Sequence, residues 1–257
     1  MALAIDLSGT SAIVFGVANH RSIAWAIAQH LHGAGARLTI TYQNERLAKN
    51  VLGLIAELDG ARAVECDVLD TGSVEAAVEA ASADVPLATA VHSVAFANRE
   101  DLGGDFSATS IEGFRTALEV SAYSLLPVAR AASAKMTDGG SILTLTFHAA
   151  DKVYAGYNVM GVAKAALENE VKQLAAEYGR RGIRVNAISA GPLATLSARG
   201  ISGFADMQAI HAERSPLGRN ITQDEVGAAA AFLSSPLASG ITGHVLYVDA
   251  GYNVMGV

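Results

Sequence analysis

Short apolar runs alternate with helix-patterned segments along the whole chain, and this alternation constrains the fold more than any single motif. The runs fall at 11–17, 36–42, 62–68, 87–96, 141–147, 184–189 and 244–248. They are rich in Val, Ile and Thr, and most are apolar on both faces, as strands of a parallel sheet covered on both sides must be. Between them, Ile23, Ile27 and Leu31 make a stripe at helical spacing. Leu118, Leu125 and Val128 lie on a helix that Pro127 is expected to kink. Ala165, Leu167, Val171, Leu174 and Ala175 carry a later helix inward, and Thr222-Gln223-Asp224-Glu225 reads as a capping box. Alternating β and α units imply right-handed crossovers. The expected fold is α/β, a doubly wound, seven-stranded parallel sheet with helices on both faces, formed by residues 1–257 as a single domain.

Composition narrows the function classes. With 51% hydrophobic and only 17% charged residues, the chain can bury a large core and leaves a sparsely charged surface suited to subunit contacts. A net charge of -7 argues against nucleic acid or an anionic membrane as partner. Cys66 is the one cysteine, so there is no intrachain disulfide and no thiolate zinc site, and its flanks place it at a strand end as a buried thiol. Residues 1–9 lack a secretory signal pattern and no stretch is long and apolar enough to span a bilayer, so the expected protein is soluble and cytoplasmic, with no metal.

The first run ends in Gly16-Val17-Ala18-Asn19-His20-Arg21-Ser22-Ile23-Ala24. A strand, a glycine turn and a helix start form the phosphate-binding element of a dinucleotide fold of the Rossmann type. The usual three-glycine spacing is absent. Gly16 serves the tight turn, and Ser22 is expected to cap the helix and offer its hydroxyl to a pyrophosphate oxygen. The second run ends near Gln43, where many NAD enzymes place an acidic residue on the ribose. No basic residue stands at 42–44 for a 2′-phosphate, although Arg46 is near, which favours NADH over NADPH. Asp67, at the end of the third run, reads either as an acceptor for the adenine amino group or as a turn former. The fourth run ends in His92-Ser93-Val94-Ala95-Phe96-Ala97, small residues that let backbone approach a cofactor, with His92 read as a satisfied core histidine.

Tyr157 and Lys164 stand six residues apart in the intervening sequence. In a helix, seven steps bring both side chains to nearly one face, roughly 10 Å apart along the axis. A phenol beside an ammonium can donate a proton or stabilise an oxyanion. Two segments interrupt the β/α rhythm, 98–110 and 191–220, both at the carboxyl edge of the sheet where open α/β folds bind ligands. The second holds Ile201, Phe204, Met207 and Ile210, and is expected to be a substrate-binding loop or lid.

These residues together resemble the bacterial enoyl-[acyl-carrier-protein] reductases, a divergent branch of the short-chain dehydrogenase/reductase superfamily. The likeness runs from about Asp6 to the C-terminus. It is carried by Gly16 to Trp25, Tyr42-Gln43-Asn44, Cys66-Asp67-Val68, the Tyr157–Lys164 spacing and the segment around Pro192 and Thr195-Leu196. Ordinary short-chain reductases place Tyr and Lys with three residues between them, and no such pair occurs here. The resemblance implies reduction of the trans-2 C=C bond of enoyl thioesters with NADH in fatty-acid elongation. It assigns Tyr157 as donor to the thioester carbonyl and Lys164 as holder of the nicotinamide ribose. Gly16, Ser22, Ile23, Gln43, Asp67, Val68, Val94, Leu193, Thr195, Leu196 and Ser197 match cofactor positions. Ala97, Leu102, Phe147, Met160, Ile201 and Phe204 match acyl-pocket positions. It further implies a homotetramer and substrate delivered on acyl carrier protein; Arg199, Arg214 and Arg219 near the loop read either as solvated surface arginines or as contacts for that acidic carrier.

Three positions depart from the family pattern. Phe147 stands where a second tyrosine is frequent, and Tyr154 is no clear substitute for it. His148-Ala149-Ala150 replaces a smaller stretch, and Ala194 replaces an arginine. Two rival functions remain open at this point: a carbonyl reductase on the same fold, and a non-catalytic NAD(H) sensor.

Overall fold

The computed structural model describes residues 4–195 and 203–256. Among these, seven strands form one sheet: β1 (Ser11–Phe15), β2 (Arg37–Tyr42), β3 (Arg62–Glu65), β4 (Leu87–His92), β5 (Gly140–Thr146), β6 (Ile183–Ala190) and β7 (Val245–Val248). Every pairing is parallel. The helices are α1 (Ile23–Gly33), α2 (Glu45–Ile55), α3 (Thr71–Ala81), α4 (Ile111–Leu118), α5 (Leu125–Lys135), α6 (Asn158–Tyr178), α7 (Phe204–Arg214) and α8 (Gln223–Ser234). The strand order is β3-β2-β1-β4-β5-β6-β7, so the sheet grows outward in both directions from the β1–β4 junction. In this topology the crevice at the carboxyl ends of β1 and β4 is the ligand site.

Alternation along β1 shows why the sheet is covered on both faces. Ala12 and Val14 face one core with Ile27 and Leu31 of α1 and Val226 and Ala230 of α8. Ile13 and Phe15 face the other, with Val74 of α3, Val128 of α5 and Leu167 and Val171 of α6. Each such side chain, fully buried, contributes about 1.5–3 kcal/mol. The edge strands read differently: Arg62 and Glu65 at the ends of β3 are exposed. Cys66, just beyond β3, is buried as expected, and burial pushes its thiol up to about 11. The capping box at α8 forms as the sequence predicts. The Thr222 hydroxyl accepts from the Glu225 N–H at 3.2 Å, and the Glu225 carboxylate accepts from the Thr222 N–H at 2.8 Å.

Four expectations are corrected. The stripe from Leu118 to Val128 is not one kinked helix: α4 ends at Leu118 and a wide turn, Glu119–Tyr123, precedes α5. Pro127 falls in the first turn of α5, where its missing N–H costs least, and the wide turn before it bonds the Ser124 N–H to the Glu119 carbonyl at 3.1 Å. Ala165 is exposed, and the inward face of α6 is made by Val159, Ala163, Lys164, Leu167 and Val171. Segment 191–220 is not a loop throughout, because α7 lies within it. Several strands end earlier than their apolar runs, β4 at His92 and β1 at Phe15, because the chain leaves the sheet there to build the crevice. Among the described residues, no helix is long and apolar enough to cross a membrane.

Candidate active site

A cleft opens where β1, β4, β5 and β6 end. It is lined by the glycine turn (Gly16, Ala18, Ser22, Ile23), the β4 exit (Ser93, Val94, Ala95), the β5 exit (Leu145, Thr146, Phe147), Tyr157, Lys164, the β6 exit (Ala190 to Leu193), Thr195, and Phe204 and Met207 of α7. The β1 and β4 ends supply mainly backbone and small residues, while Phe147 after β5, Tyr157 just before α6, Lys164 of α6 and Phe204 and Met207 of α7 supply the large side chains.

Gly16 is required by two independent constraints. Its φ is +95°, in the region that favours glycine, and a Cβ there would come to 2.0 Å from the Ser93 carbonyl oxygen. The turn therefore presses directly on the β4 exit. Ser22 does occupy the position before α1, but its hydroxyl does not cap the helix. Its oxygen accepts from the Ala18 and Asn19 N–H groups, each at 3.1 Å. Those turn amides need an acceptor, and Ser22 satisfies both. Its hydroxyl proton remains for an oxygen in the cleft, and the first N–H groups of α1 have no partner within the helix. The site thus fits an anionic group at the start of α1.

Tyr157 is not itself helical. It is the residue before α6, and Asn158 follows with φ +35°. Asparagine tolerates that conformation, and its side-chain amide donates to the Gly103 carbonyl at 2.9 Å, fixing the start of α6 to the segment after β4. Lys164 projects from the second turn of α6 into the same cleft, 5% exposed, its Nζ donating to the Leu145 carbonyl at 2.8 Å. Burial pushes the Lys164 ammonium down to about 8, with nearby Glu168 opposing the shift. Burial also raises the Tyr157 phenol well above the usual range, so it remains protonated at neutral pH. The site therefore combines a protonated phenol and a buried ammonium in one cleft with apolar walls.

The other predicted residues divide clearly. Val94, Leu193, Thr195, Phe147 and Phe204 line the cleft. Gln43 and Asp67 lie exposed beyond the ends of β2 and β3, further along the carboxyl edge, with Val68 buried beside Asp67. Asp67 accepts from the Leu69 N–H at 3.0 Å and so also forms its turn. Ala97, Leu102 and Met160 are not part of the cleft lining, and Met160 is buried in the face of α6. Leu196, Ser197, Ile201 and Arg199 lie outside the described residues. Arg219 is engaged with Glu225 at 2.6 Å. His92 is a core histidine as read, held by Thr144 at 3.0 Å and Ser124 at 2.7 Å, and burial lowers it to about 3.

The sequence reading missed the group behind Phe147. The Phe147 ring packs on Tyr157 at 5.2 Å and on Tyr154 at 4.7 Å. The Tyr154 hydroxyl lies 3.1 Å from His148 Nδ1 and 3.3 Å from His211 Nε2. His211 stacks on Tyr252 with ring centres 3.6 Å apart. Tyr154 therefore turns its hydroxyl away from the cleft and does not replace the missing phenol at 147. No sequence spacing signals this group, because its members come from α7, the C-terminal segment and the loop after β5.

Comparison with known proteins gives a consistent result. The family model described as Enoyl-(Acyl carrier protein) reductase matches residues 16–253. An enoyl-[acyl-carrier-protein] reductase [NADH] FabI from Bacillus cereus is 50% identical over 97% of this chain and 99% of its own length. The crystal structure of a Bacillus cereus enoyl-acyl carrier protein reductase with NADP+ and indole naphthyridinone superposes with a TM-score of 0.95 at 49% identity, covering 99% of this chain and all (100%) of that one. The reductase of Anaplasma phagocytophilum in complex with NAD gives a TM-score of 0.94 at 43% identity, covering 100% of this chain and 98% of its own.

Proposed function

The chain belongs to the enoyl-[acyl-carrier-protein] reductases, and from this we propose that the cleft reduces the trans-2 C=C bond of an enoyl thioester with NADH, with Tyr157 as donor to the thioester oxygen. One observation carries the assignment of the site: Tyr157 and Lys164 face the same cleft as the Gly16–Ser22 turn, enclosed by Phe147, Phe204 and Met207. A nicotinamide held there would supply the hydride to C3. Negative charge then develops on the thioester oxygen, and a protonated phenol aimed there stabilises it. Lys164 holds ribose hydroxyls and places positive potential beside the phenol. Ser22 and the start of α1 hold the pyrophosphate, Gly16, Ile23, Val94, Leu193 and Thr195 line its course, and Gln43, Asp67 and Val68 receive the adenosine end. Phe147, Phe204 and Met207 keep water from the acyl group.

Residues 1–257 act as one dinucleotide-binding and catalytic domain, with 191–220 as the substrate segment. Exposed Phe106, Ile111 and Tyr123 support a homotetramer, since these apolar side chains suit subunit contacts. The substrate is delivered by acyl carrier protein in the cytoplasm.

Nicotinamide absorbance tests the reading. Purified protein with NADH should oxidise it on adding crotonyl thioester and leave it unchanged with acetoacetyl thioester. Turnover of the keto substrate alone would make the protein a carbonyl reductase, and cofactor binding without either turnover would make it a sensor.

A further inference from the structure

We propose that Tyr154 is a positioning residue for this reductase, its phenol pinning α7 to the ring stack that backs Tyr157. The proposal rests on the enoyl-reductase reading for its kinetic consequence, though not for its structural one.

The argument begins with α7. This helix brings Phe204 and Met207 to the cleft, yet His211 is its one buried residue. A helix held by so little buried apolar surface depends on specific contacts for its position. His211 makes two: it stacks on Tyr252 and meets the Tyr154 hydroxyl at 3.3 Å. The Gln208 side chain adds a bond to the Pro192 carbonyl at 3.0 Å at the cleft end. A cavity of about 670 Å³ lies between α7 and the segment that carries Tyr154, lined by Tyr154, Ile210, His211 and Tyr252, so among the described residues α7 is only loosely packed there.

Tyr154 joins this weakly packed helix to the reaction centre. Its ring rests on Phe147, whose ring rests on Tyr157. Its hydroxyl has one proton and stands between two imidazoles, with the Tyr252 phenol also in reach, so it donates to one imidazole and accepts from the other. Two neutral histidines in the same tautomer satisfy both bonds, because one presents Nδ1 and the other Nε2. Burial keeps both imidazoles below their ordinary range, His211 at about 4, so this arrangement is the neutral-pH state. The bond fixes the distance between α7 and the Phe147–Tyr157 stack, and with it the width of the acyl site between Phe204, Met207 and Phe147.

Tyr154→Phe keeps the ring on Phe147 and removes the hydroxyl. Backbone amides of α7 should then exchange with deuterium about five- to tenfold faster, the size expected for loss of one partly buried hydrogen bond. KM for crotonyl thioester should rise by a similar factor, with kcat within about twofold and NADH affinity unchanged. His211→Phe, which preserves stacking on Tyr252, should reproduce both changes, and the double variant should be no worse than either single variant, because both remove the same bond. Unchanged α7 exchange in Tyr154→Phe would overturn the proposal, as would additive effects in the double variant. If exchange quickens but wild-type protein fails to reduce crotonyl thioester, the pin stands and the enoyl-reductase reading fails.

Discussion

Tyr157→Phe should lower kcat/KM for an enoyl thioester by about 100- to 1,000-fold, the usual effect of removing one donor to a developing oxyanion. Cofactor affinity should not change. The substitution is nearly isosteric, so the packing of this ring against Phe147 at 5.2 Å is retained and the fold is not disturbed. Two features make the phenol the donor. Burial raises it well above its ordinary value, so it carries its proton throughout the neutral range. Phe147 cannot share the task, and Tyr154 spends its hydroxyl on two histidines. Steady-state kinetics with crotonyl thioester, together with NADH titration by fluorescence, check this result. Full activity in the variant would remove Tyr157 from the chemistry.

Lys164→Met should raise the Kd for NADH about 10- to 100-fold, as expected for loss of hydrogen bonds from a charged group. The same change should leave the cofactor-free protein at least as stable as wild type. The ammonium is buried, and its fall from 10.5 to about 8 corresponds to on the order of 3 kcal/mol of folding cost. The sign is unambiguous. A base whose pKa is lower in the folded state disfavours folding below that pKa, where both states are charged. The cost shrinks as pH rises from about 8, where the folded lysine loses its proton, towards 10.5, where the unfolded one does. The lost bond to Leu145 offsets part of the gain. Calorimetric melting of the two proteins should therefore show the largest difference below pH 8, narrowing above it. A markedly less stable variant would show that Lys164 is a structural tie rather than a cofactor group held at a cost.

Much of the fold was legible because most of the runs were apolar on both faces and alternated with helical stripes, the pattern of a doubly covered parallel sheet. The Gly16 turn was legible because a single residue type meets its geometry, with φ +95° and the Ser93 carbonyl too close for any Cβ. Tyr157 and Lys164 reach one cleft as their spacing implies, although Tyr157 stands before the helix rather than in it. Ser22 shows the limit of local reading: its position is that of a cap, but the turn amides of Ala18 and Asn19 compete for its oxygen and win. Helix α7 was hidden because Gly203 and Pro216 made its surroundings read as loop and because its face buries only His211. The Tyr154 bonds were hidden for a different reason. His211 is 57 positions from Tyr154 in the chain, and no periodicity links them.

The central claim is that this cleft delivers hydride to C3 of a conjugated thioester. It is tested most directly with NADH carrying deuterium at the transferable C4 position and crotonyl thioester as acceptor, with the product examined by mass spectrometry and NMR. The butyryl thioester should carry the cofactor's deuterium at C3 and none of it at C2, while a run in D₂O with ordinary NADH should label C2. Cofactor deuterium at C2, or a butyryl product free of it, would contradict the account.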